Sequence, residues 1–203
     1  MSKQKTPQNK PADSVNSIQS PKGFVLSVKF QYYLVALVSF LIYANTLTLE
    51  YALDDRLMIV DNKFTKEGIR GIKKIMTNDA FTGFFGTQKS LVAGGRYRPL
   101  TQVMFAVEYQ FFGLNPFIGH LINILLFMAI SVLLFHILRK LLAPYQRAGW
   151  LGSLALLTAL LFVVHPIHTE VVANIKGRDE LMSLFGSLLA LWFAIRYINK
   201  QKI

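Results

Sequence analysis

Two adjacent carboxylates, Asp54 and Asp55, directly follow a long apolar stretch of the sequence. Two neighbouring carboxyl groups cannot both ionise freely when they are partly desolvated, so one of them can hold a raised pKa and act as a general base. The pair is therefore a candidate catalytic centre. The alternative is that these two residues only mark the start of an aqueous loop.

Three arginines are candidates for binding phosphate. Arg96 and Arg98 follow a glycine-rich segment, and Arg178 opens the last apolar stretch. A guanidinium grips phosphate oxygens with paired hydrogen bonds, and a lipid-linked phosphate would lie at this depth. Arg96 and Arg98 could instead be interfacial anchors. The helix dipole favours the negative charges of Asp179 and Glu180 at a helix N-terminus. It does not favour the positive charge of Arg178 there.

Five further polar residues could shape a substrate pocket. His120 and Asn123 are three residues apart and share a helix face, where hydrogen bonding between helices is the alternative role. His165, His168 and Glu170 form a short polar segment that is either an ordinary helix exit or a site for a substrate hydroxyl. A divalent cation at these last three residues is a weaker alternative, and no metal is required.

The elements that must position these residues are membrane helices. The chain has 203 residues, of which 53% are hydrophobic and only 16% are charged. Apolar stretches of about 20 residues have the length that a helix needs to cross the hydrocarbon core. We therefore expect an all-α polytopic membrane protein with four spans, at about residues 30–49, 116–138, 150–164 and 181–197.

The basic residues indicate the topology. Residues 1–29 are polar and lysine-rich, which is typical of a disordered cytoplasmic tail. Arg139, Lys140 and Arg147 between the second and third spans, and the segment 199–203, are cytoplasmic by the positive-inside rule. The net charge of +11 then reflects membrane orientation, and we expect no nucleic-acid partner. Without cysteine the chain has no disulfide or thiolate metal site.

The segment 50–115 is predicted to be a long external loop that is partly helical. Thr65 to Met76 has the spacing of an amphipathic helix lying on the membrane. Pro99 to Phe112 is helical but short for a span, and it carries Glu108. The loop would bring the acidic pair and the arginines to the outer face.

Taken together, these motifs resemble one family. In chain order they are Asp54-Asp55, Arg-Tyr-Arg-Pro-Leu at 96–100, His-x-x-Asn at 120–123, His-Pro-Ile-His-Thr-Glu at 165–170, and Gly-Arg-Asp-Glu at 177–180. The set is similar to the N-terminal part of GT-C class polyprenyl-phosphate-sugar glycosyltransferases. The transmembrane O-mannosyltransferases with tetratricopeptide repeats, and their bacterial relatives, are the nearest likeness, over about Phe30 to Tyr197.

The resemblance implies transfer of a sugar from a polyprenyl-phosphate donor to a hydroxyl, such as protein Ser or Thr, on the extracytoplasmic side. Asp54 would be the base and Asp55 the second choice. By the same resemblance Arg96, Arg98 and Arg178 would hold the leaving phosphate, and His120, Asn123, His165, His168 and Glu170 would shape the substrate pocket. Phe127 stands where relatives often have a histidine.

The resemblance also sets expectations about partners and location. Members typically have eight or more spans, so four spans form an incomplete GT-C-like module that would need a second polypeptide. The alternative function is a non-catalytic membrane assembly or lipid-binding protein that keeps half of the scaffold. We expect a bacterial inner membrane, with the endoplasmic reticulum as the alternative.

Overall fold

The structure is a computed structural model that describes residues 26–87, 97–143 and 154–201. Within these ranges the chain is helical and contains no β-strand, which confirms the all-α class. Most of the predicted tail, Arg96, Arg147 and the first residues of the predicted third span lie outside the described residues. The predictions for them stay predictions.

Four helices form the body of the molecule. They are α1 (Val28–Tyr43, continued by a 3₁₀ turn at Ala44–Thr48), α7 (Pro116–Leu141), α8 (Leu154–Val164) and α10 (Arg178–Gln201). By length and composition, Val28–Thr48, Pro116–Leu141 and Ile175–Gln201 can each cross a membrane. Leu154–Val164 and Pro166–Ala173 together can form a fourth span, bent by 48°. The structure thus has three candidate spans, or four with the bent pair.

The four helices share one apolar core. Val35, Phe127, Ile130 and Ala159 are buried where α1, α7 and α8 meet. Apolar side chains also point outward, as Leu161 does at 69% exposure. A helix that is apolar on all sides is typical of a membrane span, because lipid covers its outer face.

Contacts at the two ends of the bundle fix the chain direction. Tyr32, near the start of α1, contacts His136 near the end of α7, and Arg178, at the start of α10, contacts Asn123 in the first half of α7. We call the end that holds Tyr32 and His136 the basic end. Its charged residues are Lys29, Arg139, Lys140, Arg196 and Lys200. The other is the acidic end, with Glu50, Asp54, Asp55, Glu108, Asp179 and Glu180.

Short helices fill the described parts of the segment between α1 and α7. They are α2 (Leu53–Asp55), a π-helical turn (Arg56–Val60), α3 (Lys63–Lys66), a 3₁₀ turn (Gly68–Gly71), α4 (Ile72–Thr77), α5 (Thr82–Phe85) and α6 (Pro99–Phe112). The α6 bounds agree with the sequence prediction. Pro99 occupies its first turn, where a missing N–H costs nothing, and Gly113 ends it at φ +64°.

The single amphipathic helix predicted for Thr65 to Met76 is wrong, because the segment is helical in three pieces. Gly68 has φ +61°, a left-handed conformation that interrupts the α-helix. A Cβ at this position would also lie 2.4 Å from Oε1 of Gln110 on α6. The side chain of Ile75 is buried, while Ile69 and Met76 are half-exposed. The segment therefore buries Ile75 within the protein and keeps Ile69 and Met76 on its surface.

The bent stretch between α8 and α10 completes the acidic end. A 3₁₀ turn at Pro166–His168 leads into α9 (Thr169–Ala173), and a second turn at Ile175–Gly177 leads into α10. A Cβ on Gly177 would lie 2.3 Å from the carbonyl oxygen of Val171, so only glycine fits there. This close approach sets where α10 begins.

Candidate functional site

Asp55 is completely buried, and its carboxylate joins two separate parts of the chain. One oxygen accepts a hydrogen bond from the backbone N–H of Ala52 at 2.9 Å. The other accepts from the backbone N–H of Lys176 at 2.7 Å, 121 residues away. Burial raises the pKa of Asp55, while these two N–H groups and nearby His120 act in the opposite direction. Asp55 therefore fastens α2 to the start of α10.

Asp54 differs from its neighbour because its side chain is 53% exposed. Its nearest cation is Lys176, with 3.9 Å between Nζ and Oδ2 of Asp54. The same Nζ lies 3.8 Å from Oδ2 of Asp179, so one largely buried ammonium is shared by two carboxylates. Of the predicted acidic pair, Asp54 is the member that a substrate can reach.

Arg178 is fully buried and uses its guanidinium within the protein. Nε donates to Oδ1 of Asn123 at 2.8 Å, Nη2 donates to the carbonyl of Gly119 at 3.0 Å, and Nη1 forms an ion pair with Glu108. The guanidinium also lies 4.7 Å from the ring centroid of Phe105. A buried charge requires such a partner set, because desolvation without it is costly.

Asn123 orients this arrangement from α7. Its side-chain nitrogen donates to the carbonyls of Asn174 at 3.0 Å and Ile175 at 3.3 Å, while its oxygen accepts from Arg178. His120, one turn earlier, is 1% exposed and close to the backbone of Leu49 and Glu50. Within the described chain, neither of its ring nitrogens makes a hydrogen bond of ordinary geometry.

Arg98 faces an open cleft of about 400 Å³ between α6 and α10. It forms an ion pair with Asp179 and a second one with Glu180 at 3.2 Å. The hydrogen bond with Asp179 raises the pKa of Arg98. The walls of the cleft also include Thr101 and Ser183, which supply hydroxyl groups. Arg98 is 38% exposed and is thus accessible from solvent.

The polar segment after α8 holds His165, His168 and Glu170, and its histidines contact aromatic rings or the local backbone. His168 packs against the rings of Phe162 and Phe127, with centroids 4.3 and 5.4 Å away. Nδ1 of His165 accepts from the backbone N–H of Ile167 at 3.2 Å. Among the described residues, these two histidines and Glu170 included, no three His, Asp or Glu side chains form a group that could hold a metal ion.

The structure therefore brings Asp54, Asp55, Arg98 and Arg178 to one end. Lys176 and Asp179 link Asp54, Asp55 and Arg98, whereas Arg178 contacts Glu108, Asn123 and Gly119. Arg96 lies outside the described residues.

Sequence reasoning missed three participants: Lys176, Glu108 and Tyr51. The sequence shows Glu108 only as a charge in a short helix. In the fold, burial raises the pKa of Glu108, while Arg178 acts in the opposite direction. Burial together with the carboxylates of Glu108 and Asp55 raises the pKa of Tyr51 to about 12. Lys176 had one available signal, since it stands directly before the Gly-Arg-Asp-Glu motif. These residues show that the acidic end is a connected polar network.

Comparison with known proteins gives this geometry a family context. Human protein O-mannosyl-transferase TMTC1 is 36% identical over 158 residues, which is 77% of this chain and 17% of the relative. The chain is homologous to these protein O-mannosyl-transferases. Protein O-mannosyl-transferase Tmtc1 of Drosophila melanogaster is 36% identical over 168 residues, 81% of this chain and 18% of the relative.

A further protein O-mannosyl-transferase, TMTC4 of Mus musculus, is 32% identical over 173 residues, 81% of this chain and 22% of the relative. The chain thus spans about a fifth of the length of the relatives it matches. No family model matches the chain, and no solved structure matches it. The resemblance of the ordered motifs to the O-mannosyltransferases is confirmed by these relatives.

Proposed function

We propose that this chain is a module of a membrane glycosyltransferase that transfers a sugar from a polyprenyl-phosphate donor to a hydroxyl acceptor. The observation that carries the proposal is the unequal acidic pair: Asp54 is half-exposed while Asp55 is buried and fixed by two backbone N–H groups. A rigid backbone below an accessible carboxylate holds a general base in place. Homology to proteins named protein O-mannosyl-transferases supports the reaction class.

In this mechanism Asp54 accepts the proton of the acceptor hydroxyl. The hydroxyl oxygen forms a bond to the anomeric carbon of the sugar, and the bond from that carbon to the phosphate oxygen breaks. The electron pair of the broken bond leaves with the polyprenyl phosphate, and attack from the opposite side inverts the configuration. The ammonium of Lys176 lies 3.9 Å from the carboxylate of Asp54 and can hold it in position.

Arg98 and Arg96 are proposed to stabilise the negative charge that develops on the leaving phosphate. Arg98 supports this role because it is accessible and lines the open cleft. Arg178 is fully engaged with Glu108, Asn123 and Gly119, so we propose that it positions the site rather than touching the phosphate.

The remaining site residues, the partners and the membrane location are also proposed. His120, Asn123, His165, His168 and Glu170 remain proposed residues of the substrate pocket. The acidic end would face the extracytoplasmic side and the basic end the cytoplasm, in a bacterial inner membrane. A second polypeptide is proposed to supply further spans.

The test is transfer of a labelled sugar from a polyprenyl-phosphate donor in membranes of the source cell, which also hold the proposed second polypeptide, with the chain or its Asp54→Asn variant. We expect Asp54→Asn to reduce transfer by about 100-fold or more, in line with the loss of a general base. The matched control is Asp61→Asn. Asp61 lies in the same segment and pairs only with exposed Arg56 among the described residues, and its substitution changes the charge equally.

Three results contradict the catalytic proposal. Equal transfer by the wild type and Asp54→Asn removes Asp54 as the base. Absence of transfer by the wild type, with capture of a photoreactive polyprenyl phosphate, would leave a donor-binding module without catalysis. If the wild type neither transfers the sugar nor captures the photoreactive donor, the proposed glycosyltransferase function is wrong.

A second candidate function is a non-catalytic membrane assembly or lipid-binding protein. The observation that favours it is that Asp55, Arg98 and Arg178 all have partners within the chain, as in a network that only stabilises a fold. Sugar transfer and labelling together separate these functions, because a lipid-binding protein would be labelled by the photoreactive donor without transferring sugar. An assembly protein would not be labelled in the cleft beside Arg98.

A further inference from the structure

A second polar cluster lies at the basic end, remote from the candidate active site. The hydroxyl of Tyr32 on α1 lies 2.7 Å from Nδ1 of His136 on α7. Nη1 of Arg139, one turn further along α7, donates to the same hydroxyl at 3.4 Å. The guanidinium of Arg139 also lies 5.6 and 5.9 Å from the ring centroids of Tyr32 and Phe135. Arg139 is thus held in one place by an aromatic platform.

The cluster continues onto a third helix. The rings of His136 and Trp192 on α10 have centroids 6.4 Å apart in an edge-on arrangement. The guanidinium of Arg196 lies 5.6 Å from the ring of Trp192. We call Tyr32, His136, Arg139, Trp192 and Arg196 the basic-end cluster. It carries two guanidiniums, each placed over an aromatic ring.

Among the described residues, no carboxylate pairs with the arginines of this cluster. The sequence contains no Asp or Glu between Asp13 and Glu50, between Glu108 and Glu170, or after Glu180. Neither Arg139 nor Arg196 forms an ion pair with any described residue. This contrasts with Arg178, whose guanidinium has an internal carboxylate partner.

We propose that the basic-end cluster binds the phosphate of an anionic phospholipid headgroup. A guanidinium that uses one N–H on Tyr32 keeps several others free for phosphate oxygens. Tryptophan, tyrosine and arginine side chains at the end of a span are typical of the headgroup level of a bilayer. Anionic lipids are attracted to basic residues at this level.

The apolar surroundings favour a lipid over free phosphate. Val28, Leu141 and Ile198 are exposed at the same ends of α1, α7 and α10. A ligand that fits this surface therefore carries both a phosphate and acyl chains. Free phosphate matches the charge but leaves these apolar side chains uncovered.

The test uses the tryptophan of the cluster as a probe. The full chain has two tryptophans, so the Trp150→Phe variant leaves Trp192 as the sole tryptophan fluorophore. This variant is placed in phosphatidylcholine bilayers with a small fraction of brominated phosphatidylglycerol or, separately, brominated phosphatidylcholine. Bromine quenches fluorescence only in contact, so the ratio of the two quenching constants measures the preference for the anionic headgroup.

We expect a preference of about fivefold or more for phosphatidylglycerol in the wild-type cluster. Arg139→Gln should remove most of it. The matched control is Lys140→Gln, because Lys140 is the next residue on α7, carries the same charge and is exposed. This control should change the preference less than twofold. The preference should also persist in 0.5 M NaCl, since a held, partly buried guanidinium is screened less than a free one.

Several outcomes overturn the proposal. Equal quenching by the two lipids shows that there is no headgroup site. This comparison uses the unchanged cluster, so it does not depend on whether a cluster variant folds. Equal losses from Arg139→Gln and Lys140→Gln, or complete loss of the preference in salt, show diffuse attraction to the surface instead of a site. Displacement of the brominated lipid by inorganic phosphate assigns the cluster to free phosphate.

Discussion

The two ends of the helical bundle treat their charges in opposite ways. At the acidic end, Arg178 and Asp55 are buried and every one of their contacts is to another part of the chain. At the basic end, Arg139 and Arg196 lie over aromatic rings, and no described carboxylate forms an ion pair with either. One end stabilises the fold through paired charges, and the other leaves its charge available to the surroundings.

Arginine therefore has two different roles in this molecule, one buried with fixed partners and one at the edge of the bundle. A buried arginine requires its partners, because removing one of them leaves an uncompensated charge. An arginine over an aromatic ring at the edge of the bundle requires much less, since it stays in contact with water or headgroups. Substitutions at the acidic end should therefore cost more stability than equivalent substitutions at the basic end.

The largest expected effect is that of Arg178→Met. This substitution leaves the largely buried carboxylate of Glu108 without its cation and removes the donors to Asn123 and Gly119. We expect the free energy of unfolding to fall by about 3–5 kcal/mol. The measurement is unfolding in detergent micelles by titration with SDS, followed by circular dichroism.

The control for this prediction is Arg56→Met. Arg56 is 66% exposed and pairs with Asp61 on the surface, so we expect a loss of less than about 1 kcal/mol. The double variant Arg178→Met/Glu108→Leu removes both charges and should recover part of the loss. Equal losses for Arg178→Met and Arg56→Met would contradict the distinction between a buried, paired arginine and an exposed one.

A smaller loss is expected from Asn123→Leu. This substitution removes the donor to the carbonyls of Asn174 and Ile175 and leaves Nε of Arg178 without its acceptor. Unsatisfied buried groups of this kind cost about 1–3 kcal/mol. Asn78→Leu is the control, because Asn78 is partly exposed and its side chain bonds only locally among the described residues. A loss no larger than that of Asn78→Leu would show that the network does not depend on Asn123.

The sequence was sufficient to predict the apolar framework. Pro99 and Gly113 bound α6 with local signals that need no tertiary information. The end of α7 was placed by the change from apolar residues to Arg139 and Lys140, although the helix runs three residues further to Leu141. Periodicity and terminal residues act within a few positions, so they are visible in one sequence.

The acidic end could be predicted only in outline. Its residue types were recognised, but the ion pair between Arg178 and Glu108 joins positions 70 residues apart, and the bond from Arg178 to Asn123 spans 55. No local pattern specifies such pairs. The failed prediction for Thr65 to Met76 has a different origin, because Gly68 takes a left-handed conformation that interrupts the helix.

The pH dependence of stability gives a third way to examine the acidic end. Burial raises the pKa of Asp55 in the folded chain above its value in the unfolded chain. The folded state then binds more protons, so its stability falls as the pH rises from the unfolded pKa through the folded one. We expect Asp55→Asn to weaken this fall relative to the wild type, measured as the unfolding midpoint across a pH series.

Asn78→Ala is the control for the pH series, because it changes no titratable group and should keep the wild-type dependence. Burial raises the pKa of Glu108 as well, so part of the fall should remain in Asp55→Asn. Identical pH dependence of the wild type and Asp55→Asn would show that the Asp55 carboxyl does not carry the burial cost assigned to it.

The smallest effect is expected at the basic end, from Tyr32→Phe. This substitution removes one hydroxyl that lies 2.7 Å from His136 and accepts from Arg139, while the ring under the guanidinium stays. One such hydrogen bond is worth about 0.5–1.5 kcal/mol. Tyr33→Phe is the control because Tyr33, the next residue, is 73% exposed and should change stability very little. If Tyr32→Phe costs as much as Arg178→Met, the basic end is as dependent on fixed partners as the acidic end, and the contrast between them fails.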